Sequence, residues 1–230
     1  MKLRRPNTTP AAARAAFALY RETGAQARAH LAVRWWTAPL AAVEQRLPRS
    51  GRILEIGCGH GLFLAYAALA SPERELVGTD IDADKIALAH QALAPLAPRV
   101  SPRHTASGTV PPGPFDAIVF LDVLYLLAPD AQQELLAECL RQLAPGGVLL
   151  IKEMSPTPAW KARWNAAQET LAVKVLRITE GHDLYFVPTA TVCRWLEDAG
   201  ATTEVVPLDQ GYTHPHQLIV ARLTEAGTAR

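Results

Sequence analysis

Residues 52–62, Arg52-Ile53-Leu54-Glu55-Ile56-Gly57-Cys58-Gly59-His60-Gly61-Leu62, constrain this chain more than any other stretch. Its apolar, β-prone start predicts a buried strand. Three glycines at alternate positions then interrupt the strand, and the alanine-rich run from Phe63 to Ala70 predicts a helix. A strand, a glycine turn and a helix bring a bound molecule close to the backbone at a helix N-terminus. The spacing argues against two ligand classes. A dinucleotide turn needs a small residue where Leu62 stands, and a phosphate-cradling loop needs the Lys-Ser/Thr pair that is missing here. The bland alternative is a tight turn whose glycines serve only to reach positive φ.

The pattern Glu55-x-Gly57-x-Gly59-x-Gly61 resembles motif I of the class I S-adenosylmethionine-dependent methyltransferases. The resemblance implies that Glu55, Gly57, Cys58, Gly59 and Gly61 wrap the methionine and ribose parts of S-adenosylmethionine. A carboxylate ahead of the glycines suits a donor carrying a sulfonium and an ammonium, whereas it would repel a pyrophosphate. Further matches follow in order. Residues 75–80 predict a second strand ending in Asp80, 19 residues after Gly61. An acidic side chain at an offset of about 20 residues meets ribose hydroxyls in βαβ folds, and a carboxylate can accept from both at once. Asp80 matches the family's ribose acid, with Ile81 beside it. Asp80 as a helix N-cap is the alternative, but Asp82 and Asp84 stand closer to the helix predicted over 85–93. A weak third strand over 99–105 leads to Ala106-Ser107-Gly108. Family members place an aspartate here on the adenine amino group; this chain has Ala106, which leaves the Ser107 hydroxyl or backbone groups. Residues 115–120 are a clear fourth strand. The segment after it resembles the family's methionine-facing stretch, so Asp122 either meets the donor ammonium or the substrate, or caps the next turn. A helix over 130–143 ends at Pro145-Gly146-Gly147, and a fifth strand over 148–153 follows, another family signature. It places Glu153 on the rim as a candidate substrate contact.

Around this core, residues 1–49 read as a helical cap with helices over 8–34 and 40–47, broken at Arg34-Trp35-Trp36-Thr37-Ala38-Pro39. The tryptophan pair either covers the sheet edge, closes a pocket or touches a membrane interface. Residues 154–187 show an apolar stripe at helical spacing through Trp160 and Trp164. Either a substrate lid, with Trp160 and Tyr185 on the acceptor, or a helix packed on the domain or a second subunit accounts for it. Residues 188–230 predict a helix and an antiparallel hairpin, whose loop holds Tyr212, a candidate substrate contact, His214 and His216. His182 and His214 are the candidate general bases, though surface loops hold such histidines commonly. No third ligand accompanies the loop histidines, so no metal is expected.

These readings converge on one methyltransferase domain over 1–230 with a cofactor-binding core over 50–153. Its fold class is α/β: a doubly wound, seven-stranded, mostly parallel Rossmann-like sheet with its last strand antiparallel. The expected activity is S-adenosylmethionine-dependent methylation of a small, partly apolar acceptor, aromatic or lipid-like, at oxygen or carbon. A non-catalytic S-adenosylmethionine-binding subunit or scaffold, and more remotely a nicotinamide-dependent oxidoreductase, are the rivals. A formal net charge of +1 and the lack of a basic arm argue against nucleic acid. No run approaches about 18 apolar residues, which leaves only peripheral membrane contact open. Three scattered cysteines suggest a reducing cytoplasm. A monomer or a homodimer is expected.

Overall fold

The computed structural model of the chain describes residues 9–154, 184–208, 211–212 and 215–224. Their centre is a seven-stranded sheet of order β3-β2-β1-β4-β5-β7-β6. Its strands are β1 (Gly51–Ile56), β2 (Arg74–Asp80), β3 (Val100–His104), β4 (Phe115–Leu121), β5 (Leu143–Met154), β6 (Ala201–Pro207) and β7 (His216–Leu223). The first five pair in parallel, and β7 runs antiparallel to both β5 and β6. The sheet is therefore the expected mixed, Rossmann-like one.

The central strands β1, β4 and β5 are largely apolar and buried because both faces are covered. Successive residues of β4 alternate between two cores: Ala117, Val119 and Leu121 enter one, Ile118 and Phe120 the other. The first core packs against the N-terminal helices α1 (Ala11–Ala18), α2 (Ala25–Thr37) and α3 (Leu40–Glu44), with α4 (Leu62–Ala70) and α5 (Ala83–Leu93). The second packs against α6 (Pro129–Arg141) and α7 (Thr189–Asp198). Helix α6 turns one apolar stripe to this core: Leu135, Leu136, Cys139 and Leu140 are all buried.

Two boundaries differ from the sequence reading. The tryptophan pair does not break the second helix, which runs on through Thr37. The break comes at Ala38, whose extended backbone (φ −121°, ψ 138°) is what a residue before proline favours. Trp35 is buried edge-on against Phe17 and Tyr66, while Trp36 is 52% exposed. The fifth strand starts at Leu143 rather than Val148, because Leu143 already pairs with Phe115 before a register shift. Pro145-Gly146-Gly147 thus forms an irregular strand entry, with Gly146 at φ +77°. Of the lid predicted over 154–187, residues 155–183, with Trp160 and Trp164, lie outside the described residues.

A buried ion pair ties the N-terminal cap to the sheet. Arg74, 1% exposed, reaches Glu44 Oε1 at 2.7 Å and also donates to the carbonyls of Pro48 and Ala67. Removing one member of such a pair leaves a buried charge uncompensated. Glu44→Ala should therefore cost about 3–5 kcal/mol in urea unfolding, and Glu44→Leu combined with Arg74→Met should cost much less. Equal losses in the two variants would show that the ionic contact is not what holds this junction.

Candidate active site

A cavity of about 640 Å³ opens at the carboxyl ends of β1 to β4. It sits where the strand order reverses between β1 and β4, the place where open α/β sheets receive ligands. Helix α2 forms its outer wall through His30, Leu31 and Arg34.

The turn after β1 is held by its neighbours. The amides of Gly57 and Cys58 both donate to the Thr79 carbonyl, at 2.7 and 2.9 Å. Gly57 has φ +76°, and a Cβ there would lie 2.4 Å from a Val123 methyl, so glycine is required twice over. Gly59 differs: a Cβ on it would meet only Lys85 Cδ, at 4.0 Å, so its α-carbon faces open space at the cavity. Gly61 is not in the wall. It precedes α4 at φ +78°, with its missing Cβ position 2.8 Å from Leu93, which makes it a packing glycine between α4 and α5.

Asp80 ends β2 at the cavity. Its Oδ2 accepts from the Gly59 amide at 2.7 Å and its Oδ1 from the Asp82 amide at 2.9 Å. Each oxygen keeps a lone pair, so a diol can still be received. Asp82, not Asp80, caps α5, accepting from the amides of Asp84 and Lys85. Ile81, 54% exposed, and Ser107 stand in the same wall. Cys58 is also in the wall, its thiol pushed up by burial.

Glu55 is the most unusual group. It is 3% exposed, and its Oε2 has no hydrogen-bond partner among the described residues. Burial pushes its carboxyl well above the ordinary glutamate value, with the Arg34 charge acting the other way and Asp80 adding to the rise. A buried acceptor left open in a cavity wall fits a cationic or N–H-bearing ligand.

Asp122 is committed to an interaction the sequence reading did not foresee. Arg34 Nη1 reaches its Oδ2 at 2.7 Å, and Lys152 Nζ reaches Oδ1 and Oδ2 at 2.6 and 2.5 Å. Arg34 also donates to the Leu121 carbonyl at 2.6 Å. Burial acts to raise Asp122, but the two cations more than offset it and hold the carboxyl below the ordinary aspartate value. Asp122 lines the cavity as the anchor of two cations, with φ +54°.

The other expected contacts are placed elsewhere. Glu153 accepts from the Tyr125 amide, and Tyr185 donates its amide to the Tyr125 carbonyl, so both belong to a neighbouring cluster with Phe186 stacked on Tyr125. Burial, then the charge of Asp122, pushes Glu153 up to about 8. Tyr212 stacks edge-on against His216, away from the wall. His182 and His214 lie outside the described residues. Conversely, His30 and His60 do stand in the wall. Only position hinted at them: His60 interrupts the glycines, and His30 lies one turn ahead of Arg34. Among the described residues no group of three or more His, Cys, Asp or Glu side chains is arranged for a metal, and no helix is long and apolar enough to cross a membrane.

The residues present fit S-adenosylmethionine: an open carboxyl oxygen at Glu55, an acid with spare acceptor capacity at Asp80, and an α-carbon bare of bulk at Gly59.

Comparison with known proteins agrees. Residues 26–205 match a family model described as a methyltransferase domain. The chain is 29% identical over 194 residues to the ubiquinone biosynthesis O-methyltransferase of Xanthomonas oryzae pv. oryzae, covering 77% of this chain and 80% of that protein. It is 36% identical over 124 residues to a probable S-adenosylmethionine-dependent methyltransferase of Mycolicibacterium smegmatis, covering 51% of this chain and 44% of that one. Among solved structures, the magnesium protoporphyrin IX methyltransferase of Synechocystis PCC 6803 with bound SAH superposes with a TM-score of 0.65 at 16% identity, covering 90% of this chain and 92% of that one. The pyocyanin biosynthetic protein PhzM gives 0.68 at 19% identity over 90% of this chain. The chain spans 60% of that structure's length.

The orphaned oxygen has a measurable consequence. Glu55 holds its proton more tightly folded than unfolded, so its contribution to stability is full at acid pH and is lost as pH rises from about 4.5 through its raised value. Glu55→Gln should therefore raise the ligand-free melting temperature at neutral pH, by about 2–4 °C for each kcal/mol gained. It should also weaken S-adenosylmethionine about tenfold in calorimetry, the loss of roughly one charge-assisted hydrogen bond. A lower melting temperature with unchanged affinity would contradict both assignments.

Proposed function

Because this chain belongs to the methyltransferase-domain family and is an S-adenosylmethionine-dependent enzyme, we propose that it methylates a hydroxyl oxygen on a small, partly apolar acceptor of the phenol type. The observation that carries the reading is the mixed lining of the cavity. Acidic groups, Glu55 and Asp80, gather by the glycine turn, while Leu31, Leu40, Phe63, Leu126 and Leu135 supply apolar surface. A donor with cationic and hydroxyl groups suits the acids, and an acceptor with an apolar ring suits the apolar surface. The likeness to an O-methyltransferase of ubiquinone biosynthesis supports oxygen and a ring-bearing acceptor.

When bound, S-adenosylmethionine supplies a methyl group on a sulfonium, whose departure leaves a neutral thioether. The chain's own residues then have three tasks. Glu55 holds the donor's polar end, and Asp80 receives its ribose hydroxyls. Helix α2, fastened by Arg34 to Asp122 and to the Leu121 carbonyl, closes the cavity and limits water. The apolar wall aligns the acceptor, and alignment of this kind is worth up to about 7–11 kcal/mol of barrier.

Transfer of labelled methyl groups to a panel of phenols, catechols and activated carbon acids tests the reading. O-methyl products by mass spectrometry are expected; carbon-only products would refute the oxygen assignment. Asp80→Ala should weaken S-adenosylhomocysteine at least about tenfold in calorimetry, the scale of a lost bidentate charge-assisted contact. Unchanged affinity in a folded variant would remove Asp80 from the ribose site.

A further inference from the structure

Two histidines in the cavity wall have no part in the donor contacts described above. His30 comes from α2, His60 from the glycine turn, and their ring centroids lie 5.3 Å apart at 57°. Both rings are half-buried in the wall, and among the described residues no hydrogen bond reaches a ring nitrogen of either. The turn beneath them is pinned, because the Tyr20 hydroxyl donates to the His60 carbonyl at 2.7 Å. Half-buried imidazoles with open nitrogens, converging from two elements on one cavity, are arranged to receive a proton or a polar ligand atom.

The charges around them are consistent with this. His30 faces Arg34 on its own helix and Lys85 from α5. His60 faces His30 and Lys85, with Asp82 and Asp80 opposing them. Burial, and then these cations, hold both imidazoles below the ordinary histidine value, so both are neutral near neutral pH. Only a neutral imidazole can accept a proton, so the pair is in its working form without outside help.

We propose that His30 is the general base that takes the proton of the acceptor hydroxyl. In this step the acceptor O–H bond breaks, an N–H bond forms on His30, and the electron pair stays on the oxygen, which becomes the nucleophile. The acceptor is then one whose hydroxyl must lose a proton to react. The inference rests on the oxygen-directed reading above and deepens it.

Imidazole-ring NMR titration of the ligand-free protein should show both histidines titrating below 6.5, and His30→Gln should move the His60 titration upward. The S-adenosylhomocysteine complex is then mixed with 4-nitrocatechol at a pH below that probe's own ionisation. The phenolate absorption band is expected to appear. In His30→Gln the band should vanish while S-adenosylhomocysteine affinity stays within about threefold. Labelled methyl transfer to the same probe should fall about 100-fold or more at neutral pH. Its acid limb should lie below 6.5, since activity is lost as pH falls and His30 becomes protonated. A band that survives His30→Gln, or a complex that binds S-adenosylhomocysteine and shows no band, overturns the proposal. A folded protein that fails to bind S-adenosylhomocysteine at all instead sinks the methyl-transfer reading beneath it.

Discussion

The site depends on the way the turn after β1 is tied to the end of β2. Two successive amides share the Thr79 carbonyl, and the next glycine amide is held by Asp80. These bonds spend the turn's donors inside the protein and fix its path. The path in turn allows Val123 to press on Gly57, leaves Gly59 bare towards the cavity, and presents Glu55 and Asp80 on one side of it. A looser turn would scatter these groups, and the donor would have to order them on binding, at a cost in affinity.

Much of this was legible in the order of residues because it is local. Glycines at alternate places after an apolar run signal a strand-to-turn geometry, and a fixed offset to an acid signals a neighbouring parallel strand. Asp80, the parallel strands and the antiparallel closing pair follow from such short-range patterns. Gly61 shares the spacing of Gly57 and Gly59 but serves helix packing, because spacing does not report which side of the turn a missing side chain faces.

What could not be read is what the fold assembles across long separations. Asp122 meets Arg34, 88 positions away, and Lys152, 30 positions away. Lys152 in an otherwise apolar strand gave no sign of its partner, although a fully buried lysine almost always has one. His30 and His60 likewise meet only because α2 folds back over the turn. Arg34 likewise lies against the cavity, with Asp122 and the Leu121 carbonyl as its partners.

The contact between Asp122 and Lys152 has a consequence for how this chain can change. The two residues are joined twice, by the Asp122 amide to the Lys152 carbonyl at 2.9 Å and by their side chains. A single residue inserted or deleted in β5 ahead of Lys152 would turn its side chain to the opposite face of the sheet, among hydrocarbon, and leave a buried charge without its partner. Length variation among descendants of this chain should therefore collect in the connecting loops, while the β4–β5 alignment at this point stays frozen.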